Sequence, residues 1–306
     1  MSYTVEIRDI AKRYGKLDAV RDVSFALPAG ETVALVGHNG AGKTTLIKLM
    51  LGLIHPTFGT VSVLGENPAG GDFAARRRLG YLPENVAFNG ALTGRELLTF
   101  YTRLKGGPVS LILPLLDRVG LAAAADRRVG TYSKGMRQRL GLAQALIGEP
   151  ALLLLDEPTT GLDPALRQSF YEIVQDLRDR GATVILSSHA LTELEERTDR
   201  VIVMNRGAMV ANGSLEELRH IARLPTRIRF HLQDGRLGPK QSWLGGLGEW
   251  RPVNGHIVEL DAMPGQKIDV LRQAIQAGAP LDDVEITPPT LDELYVHFLR
   301  SQEEAS

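Results

Sequence analysis

Residues 37–45 read "GHNGAGKTT", and the fold turns on how this stretch is understood. It fits the spacing G-x-x-x-x-G-K-S/T, lies directly after the apolar run "TVALV" at 32–36, and precedes the helix-like "TLIKLMLGL" at 45–53. That order, strand then glycine-rich turn then helix, is the phosphate-cradling arrangement of P-loop proteins. Gly37, Gly40 and Gly42 let the backbone turn its N–H groups inward, and the start of the following helix favours negative charge. The whole loop, Gly37, His38, Asn39, Gly40, Ala41, Gly42, Lys43, Thr44 and Thr45, is expected to hold ATP. Lys43 is expected to reach the β- and γ-phosphates, and the Thr44 hydroxyl to ligate Mg²⁺. His38, a lone loop histidine, reads as a solvated filler. A chance glycine-rich turn is the plain alternative, but it would not require a strand before it and a helix after it.

Working outward, "ALLLLDE" at 151–157 is a buried strand that delivers two carboxylates to the rim of a sheet, where ligands collect in α/β folds. Asp156 is expected to hold Mg²⁺ through water. Glu157 is placed to take a proton from an attacking water, a role worth roughly 10²–10⁴ in rate. An acid pair that merely caps the next helix is the competing reading. "ATVILSSHA" at 182–190 ends a further apolar strand in His189; by itself such a histidine is more often structural, but its order after "LLLLDEP" places it to contact the γ-phosphate and the attacking water. "KRYG" at 12–15 puts Tyr14 on a turn, where its ring face could stack on a purine; taken alone, such a tyrosine is more often core.

Strand-like segments alternating with helical ones predict an α/β fold with a parallel sheet covered on both faces. Helical periodicity dominates from about residue 84 to 150, as a helical subdomain between two strand-rich halves. The expected domains are 1–221, carrying the nucleotide motifs, and 222–306, a small α+β domain built from strands "RIRFHL" and "HIVEL", helix "QKIDVLRQAIQAG", strand "VEIT" and helix "TLDELYVHFLR". In that last helix Leu291, Leu294, Tyr295 and Phe298 form one apolar stripe, read as core packing.

The chain has 306 residues, 35 basic and 36 acidic side chains, a net charge of −1 and no cysteine. That balance argues against a protein held on nucleic acid by phosphate contacts, and it excludes thiol chemistry, disulfides and thiolate metal sites. No apolar run approaches the roughly 20 residues of a membrane span. A membrane role therefore requires a partner.

The ordered set "RYG", "GHNGAGKTT", "YLPE", "YSKGM", "LLLLDEPTTGLD" and "SSH" resembles the nucleotide-binding subunits of ABC transporters over about residues 3 to 220. The resemblance implies a mixed sheet core and Mg²⁺-dependent ATP hydrolysis, with Tyr14 as the adenine-stacking residue and His189 as the switch histidine. Residues 160–163, "TGLD", match the loop that signals across a dimer, with Asp163 on its nucleotide side. Glu84 stands where the family most often has a glutamine that senses Mg²⁺; a glutamate keeps the acceptor oxygen, adds charge and loses the donor.

The resemblance also gives meaning to "TYSKGMRQR" at 131–139. In the family this loop completes the ATP site of a second copy, which requires a small hydroxyl, an unobstructed backbone N–H and a helix N-terminus. Ser133, Gly135 and a helix beginning near Met136 supply them. Tyr132 is expected to replace a packing residue; Lys134 either adds a cation near phosphate or points to solvent. Implied partners are a second copy of the chain in a head-to-tail ATP sandwich and a separate transmembrane subunit, at the cytoplasmic face of the inner membrane. The phrases "LGYLPENVAF", "AADRRVGTYSKGMRQRLGLAQALIGEP" and "PPTLDELY" are similar to the ATPase subunits of NosDFY-type copper-processing complexes, which mature nitrous-oxide reductase. That likeness adds a periplasmic component, reached through the membrane subunit. With no cysteine and six methionines, the chain offers no evident Cu(I) site of its own.

Overall fold

The structure is a computed structural model and describes residues 3–70, 74–233 and 249–304. The chain divides into two compact units, 1–212 and 213–306.

The first unit opens with β1 (Val5–Tyr14) and β2 (Leu17–Leu27), an antiparallel pair flanked by β4 (Phe58–Val63) in the order β2-β1-β4. The pairing is interrupted at Asp9, whose φ of 49° marks a bulge. There the Ser24 hydroxyl accepts from Asp9 N at 2.7 Å and donates to its carboxylate at 2.9 Å. The bulge explains why β1 shows no clean two-residue alternation beyond "YTVEI".

Between β2 and β4 come β3 (Thr32–Val36) and α1 (Lys43–Met50). After β4 the chain runs through α2 (Ala74–Arg77), β5 (Leu79–Leu82), α3 (Gly94–Lys105), α4 (Ile112–Arg118) and α5 (Lys134–Leu146). It continues as β6 (Leu152–Asp156), α6 (Pro164–Asp179), β7 (Thr183–Ser187), α7 (Leu191–Leu194), β8 (Arg200–Asn205) and β9 (Ala208–Gly213). The larger sheet has the order β5-β6-β7-β3-β8-β9, and its pairs from β5 to β8 are parallel. Every residue of β3, β6 and β7 is buried, as expected for strands covered on both faces.

Helix α1 lies between the two sheets: Leu46, Ile47, Leu49 and Met50 share one core with Ile7, Val23 and Leu27 on one side and Val33, Leu154 and Ile202 on the other. Each such fully buried side chain is worth about 1.5–3 kcal/mol. That packing fixes where the loop before α1 must sit. The helical subdomain supplies α3, α4 and α5; a capping box of Thr93 and Glu96 starts α3, with Thr93 accepting from Glu96 N at 3.2 Å and donating its own N–H back at 2.8 Å.

Lys105, at the end of α3, ties this subdomain down. Its ammonium donates to the carbonyls of Leu79 at 2.8 Å and Ile147 at 2.9 Å, and burial pulls its pKa down to about 8. The unfolded chain then binds more protons than the folded one between about pH 8 and the ordinary lysine range, so stability rises with pH across that window. In urea unfolding at pH 7, 8, 9 and 10, wild type is expected to gain stability relative to Lys105→Met as pH increases; parallel curves would remove Lys105 as the source.

The second unit contains α8 (Leu215–Ala222), β10 (Thr226–Leu232), β11 (Trp250–Asn254), β12 (Ile257–Ala262), α9 (Lys267–Gln276), β13 (Leu281–Thr287) and α10 (Leu291–Glu304). Its sheet runs β11-β12-β10-β13, with Ile228, Phe230, Val258, Leu260, Val270 and Ala274 in its core. Helix α8 packs on α10, so the break between units falls at 212/213, ahead of α8, where sequence reading put it after that helix. Strand β11, "WRPVN", carries no alternation and contains Pro252; as an exposed edge strand it tolerates both. In α10 Leu291, Leu294 and Phe298 are buried. The glycine-rich stretch 234–248 lies outside the described residues.

Candidate functional site

Strands β3, β6 and β7 end side by side, Asp156 opposite Ser187 and Ser187 opposite Leu35. The loop 37–42 leaves β3 at this rim and enters α1 at Lys43. Close packing dictates two of its glycines. A Cβ on Gly37 would lie 2.5 Å from the Met204 carbonyl oxygen, and one on Gly42, with φ 105°, 2.6 Å from that of Ala19. Lys43 is buried and its ammonium donates to the carbonyls of Gly37 at 2.5 Å and His38 at 3.2 Å. Burial lowers its pKa, while the charges of Glu157, Asp156 and Glu84 oppose that shift.

At the rim, the Thr44 hydroxyl donates to Asp156 at 3.0 Å, and the Ser187 hydroxyl donates to the other Asp156 oxygen at 2.6 Å. Asp156 is only 4% exposed. Thr44 Oγ1 and the Asp156 carboxylate are hard oxygen donors of the kind Mg²⁺ takes alongside phosphate oxygens and water. Bound there, Mg²⁺ would neutralise phosphate charge. Glu84 is exposed and reaches this set through its charge on Lys43.

Glu157 follows at φ 48°, a left-handed conformation uncommon for a glutamate, and its N–H bonds to Ser187, 3.1 Å from the hydroxyl and 3.2 Å from the carbonyl. Its side chain is 13% exposed and stands 2.8 Å from Nδ1 of His189, which is 75% exposed. Burial raises the Glu157 pKa, with His189 and Lys43 pulling it back. A desolvated carboxylate beside a histidine, next to a phosphate loop, is equipped to take a proton from water. Ser187 organises both carboxylate positions, yet nothing marked it in the sequence beyond its place two residues before His189.

His38 corrects its reading as a filler: its ring bonds to Asn205 Oδ1 at 2.8 Å and lies 2.6 Å from the Asn39 carbonyl, latching the loop to the end of β8. Tyr14 stands at the end of β1, 46% exposed, with the Lys12 ammonium over its ring, 5.0 Å from the ring centre. Asp163 caps α6, accepting from Leu166 N at 2.9 Å, with Pro164 at the first helical position.

Ser133 and Gly135 make their contacts elsewhere in the chain. Ser133 caps α5, accepting from Met136 N at 3.2 Å, and Gly135 faces Gly161 and Leu162; these partners belong to its own helix and to 161–162, not to 37–45. The helix begins at Lys134, two residues before Met136. Tyr132 is buried and donates to the Ala124 carbonyl at 2.6 Å, the packing role expected of it. The stem of Lys134 lies over Gly161, 3.5 Å from where a Cβ would stand, a placement neither expectation included.

A profile described as ABC transporter matches residues 20–160. The daunorubicin resistance ATP-binding protein DrrA3 of Streptomyces coeruleorubidus is 35% identical over 298 residues, 94% of this chain and 93% of its own. The chain belongs to the ABC transporter ATP-binding family. Nod factor export ATP-binding protein I of Burkholderia orbicola (strain AU 1054) is 40% identical over 214 residues, 69% of this chain and 70% of the relative. A solved ATP-binding subunit of an ABC transporter matches with a TM-score of 0.68 and 32% identity, covering 71% of this chain and 92% of its own. ABC ATP-binding domains typically pair and work with transmembrane subunits. Among the described residues no helix is long and apolar enough to cross a membrane.

Proposed function

We propose that this ABC chain is the ATP-hydrolysing motor of an exporter-type membrane complex, working as two copies beneath a separate transmembrane subunit on the cytoplasmic face of the inner membrane. The Glu157–His189 contact at 2.8 Å, beside the Thr44–Asp156–Ser187 hydrogen-bond chain, carries the hydrolytic reading. In it Lys43 and the loop 37–45 hold the phosphates, Thr44 and Asp156 hold Mg²⁺, Glu157 takes the proton, and Tyr14 stacks on adenine. Ser133, Gly135 and Asp163 face the nucleotide of the second copy. The near-neutral charge supports a partner other than nucleic acid.

The finer reading is that the motor drives copper-site maturation of nitrous-oxide reductase through a periplasmic component, with this subunit leaving the metal untouched. The phrases around "YLPE", "YSKGM" and "PPTLDELY" support it. A second reading, export of an organic cargo, is favoured by relatives named for Nod factor export and daunorubicin resistance. Deletion in the native host separates them: the first expects nitrous-oxide reductase to be made without its copper. Fully copper-loaded reductase in the deletion strain would move the assignment to an exporter.

A further inference from the structure

His189 is three-quarters exposed and its ring bonds to Glu157, so its position depends on what holds the segment behind it. That segment, α7, is four residues long with no side-chain cap, too short to hold its own shape. Leu191 and Leu194 anchor its inner side. On its other side Glu193 bonds to the Arg167 guanidinium on α6. The same guanidinium donates through Nε to the Leu162 carbonyl at 3.2 Å, in the loop that runs on from Glu157. Tyr171, one turn further along α6, is buried and donates to the second Glu193 oxygen at 3.5 Å, and the Arg197 guanidinium covers its ring at 4.3 Å.

These contacts close a ring. From Glu157 the loop turns through Thr160 N to Glu157 O at 3.3 Å and Leu162 N to Thr159 O at 3.1 Å. It passes by Leu162 O to Arg167, across to Glu193, back along α7 to His189, and returns to Glu157. We propose that Arg167 and Glu193 are a positioning pair that holds the His189 segment against loop 157–163, so that loss of either slows ATP turnover without weakening nucleotide binding. The pair rests on the hydrolytic reading of the site. An ordinary surface ion pair would instead leave turnover unchanged.

The test is a double-mutant cycle on the purified full-length chain: wild type, Arg167→Met, Glu193→Gln and both, with kcat, KM, ATP Kd and Tm measured for each. Each single change is expected to lower kcat about tenfold with Kd within about twofold of wild type, and the double variant to be no slower than the singles. Arg167→Lys, which keeps the charge but not the two-pronged reach, is expected to fall between. Single variants with wild-type kcat, a double variant showing the product of the two losses, or a Kd that rises in step with the fall in kcat would each overturn the pair. Should Arg167→Met fail to fold, the near-isosteric Glu193→Gln decides the matter by kcat against Kd. A wild-type chain with no ATP turnover removes the hydrolytic reading and the pair with it, whereas active wild type with unaffected variants removes the pair alone.

Discussion

Glu157→Gln is expected to lower the rate of ATP hydrolysis by on the order of 10²-fold or more while ATP still binds and the two-copy, ATP-bound form accumulates. Glutamine retains the carbonyl oxygen facing His189 Nδ1 and the backbone bonds to Ser187, so the geometry survives and only the proton acceptor is lost. Stability should move the other way. Burial raises the Glu157 pKa, so the folded state holds that proton more tightly than the unfolded chain does. Its contribution is favourable below the ordinary carboxylate range and is lost as pH rises through the raised value. At pH 8 the glutamine variant should therefore unfold at a higher temperature than wild type, with the difference shrinking toward pH 5. Phosphate release and thermal unfolding at both pH values check the pair of effects, and an unchanged hydrolysis rate removes Glu157 from the base role.

Ser133→Arg is expected to abolish turnover while leaving the ATP affinity of the single chain within about twofold. The residue is exposed, and its own hydrogen bond is to Met136 N, so the local cost is a lost helix cap of about 1 kcal/mol and the fold should survive. Ser133 has its hydrogen bond within its own helix and none to 37–45, so the two-copy reading assigns the loss of hydrolysis to the site of a second copy. Mixing makes this specific. Combined with Glu157→Gln chains, Ser133→Arg chains should recover measurable phosphate release, because one composite site of the mixed pair retains both Ser133 and Glu157. Full activity of Ser133→Arg alone would sink the two-copy site.

Much of the first unit was legible because its signals are local. The apolar runs "TVALV" and "LLLL", the spacing of glycines before Lys43, and the acids at the end of β6 each report their own surroundings. What escaped reading depends on partners far away in the chain. Ser187 matters because β7 lies in register with β6, a pairing no pattern within "VILSSH" announces. His38 looked idle because Asn205 lies 167 residues on. Asp163 was legible as part of "TGLD", but its hydrogen bond shows a helix-capping job that the loop's resemblance did not suggest. Strand β11 was hidden by Pro252 and full exposure, conditions an edge strand accepts.

The contacts of the phosphate loop with Met204 and Asn205 also order events in time. Gly37 lies against the Met204 carbonyl and His38 is bonded to Asn205, so one segment is completed by another made much later. At roughly 5–20 residues per second, the 167 residues between His38 and Asn205 represent about 8–33 s of translation. During that interval the nascent chain carries an incomplete phosphate loop. The contacts that fix the loop therefore form only after β8 has been made.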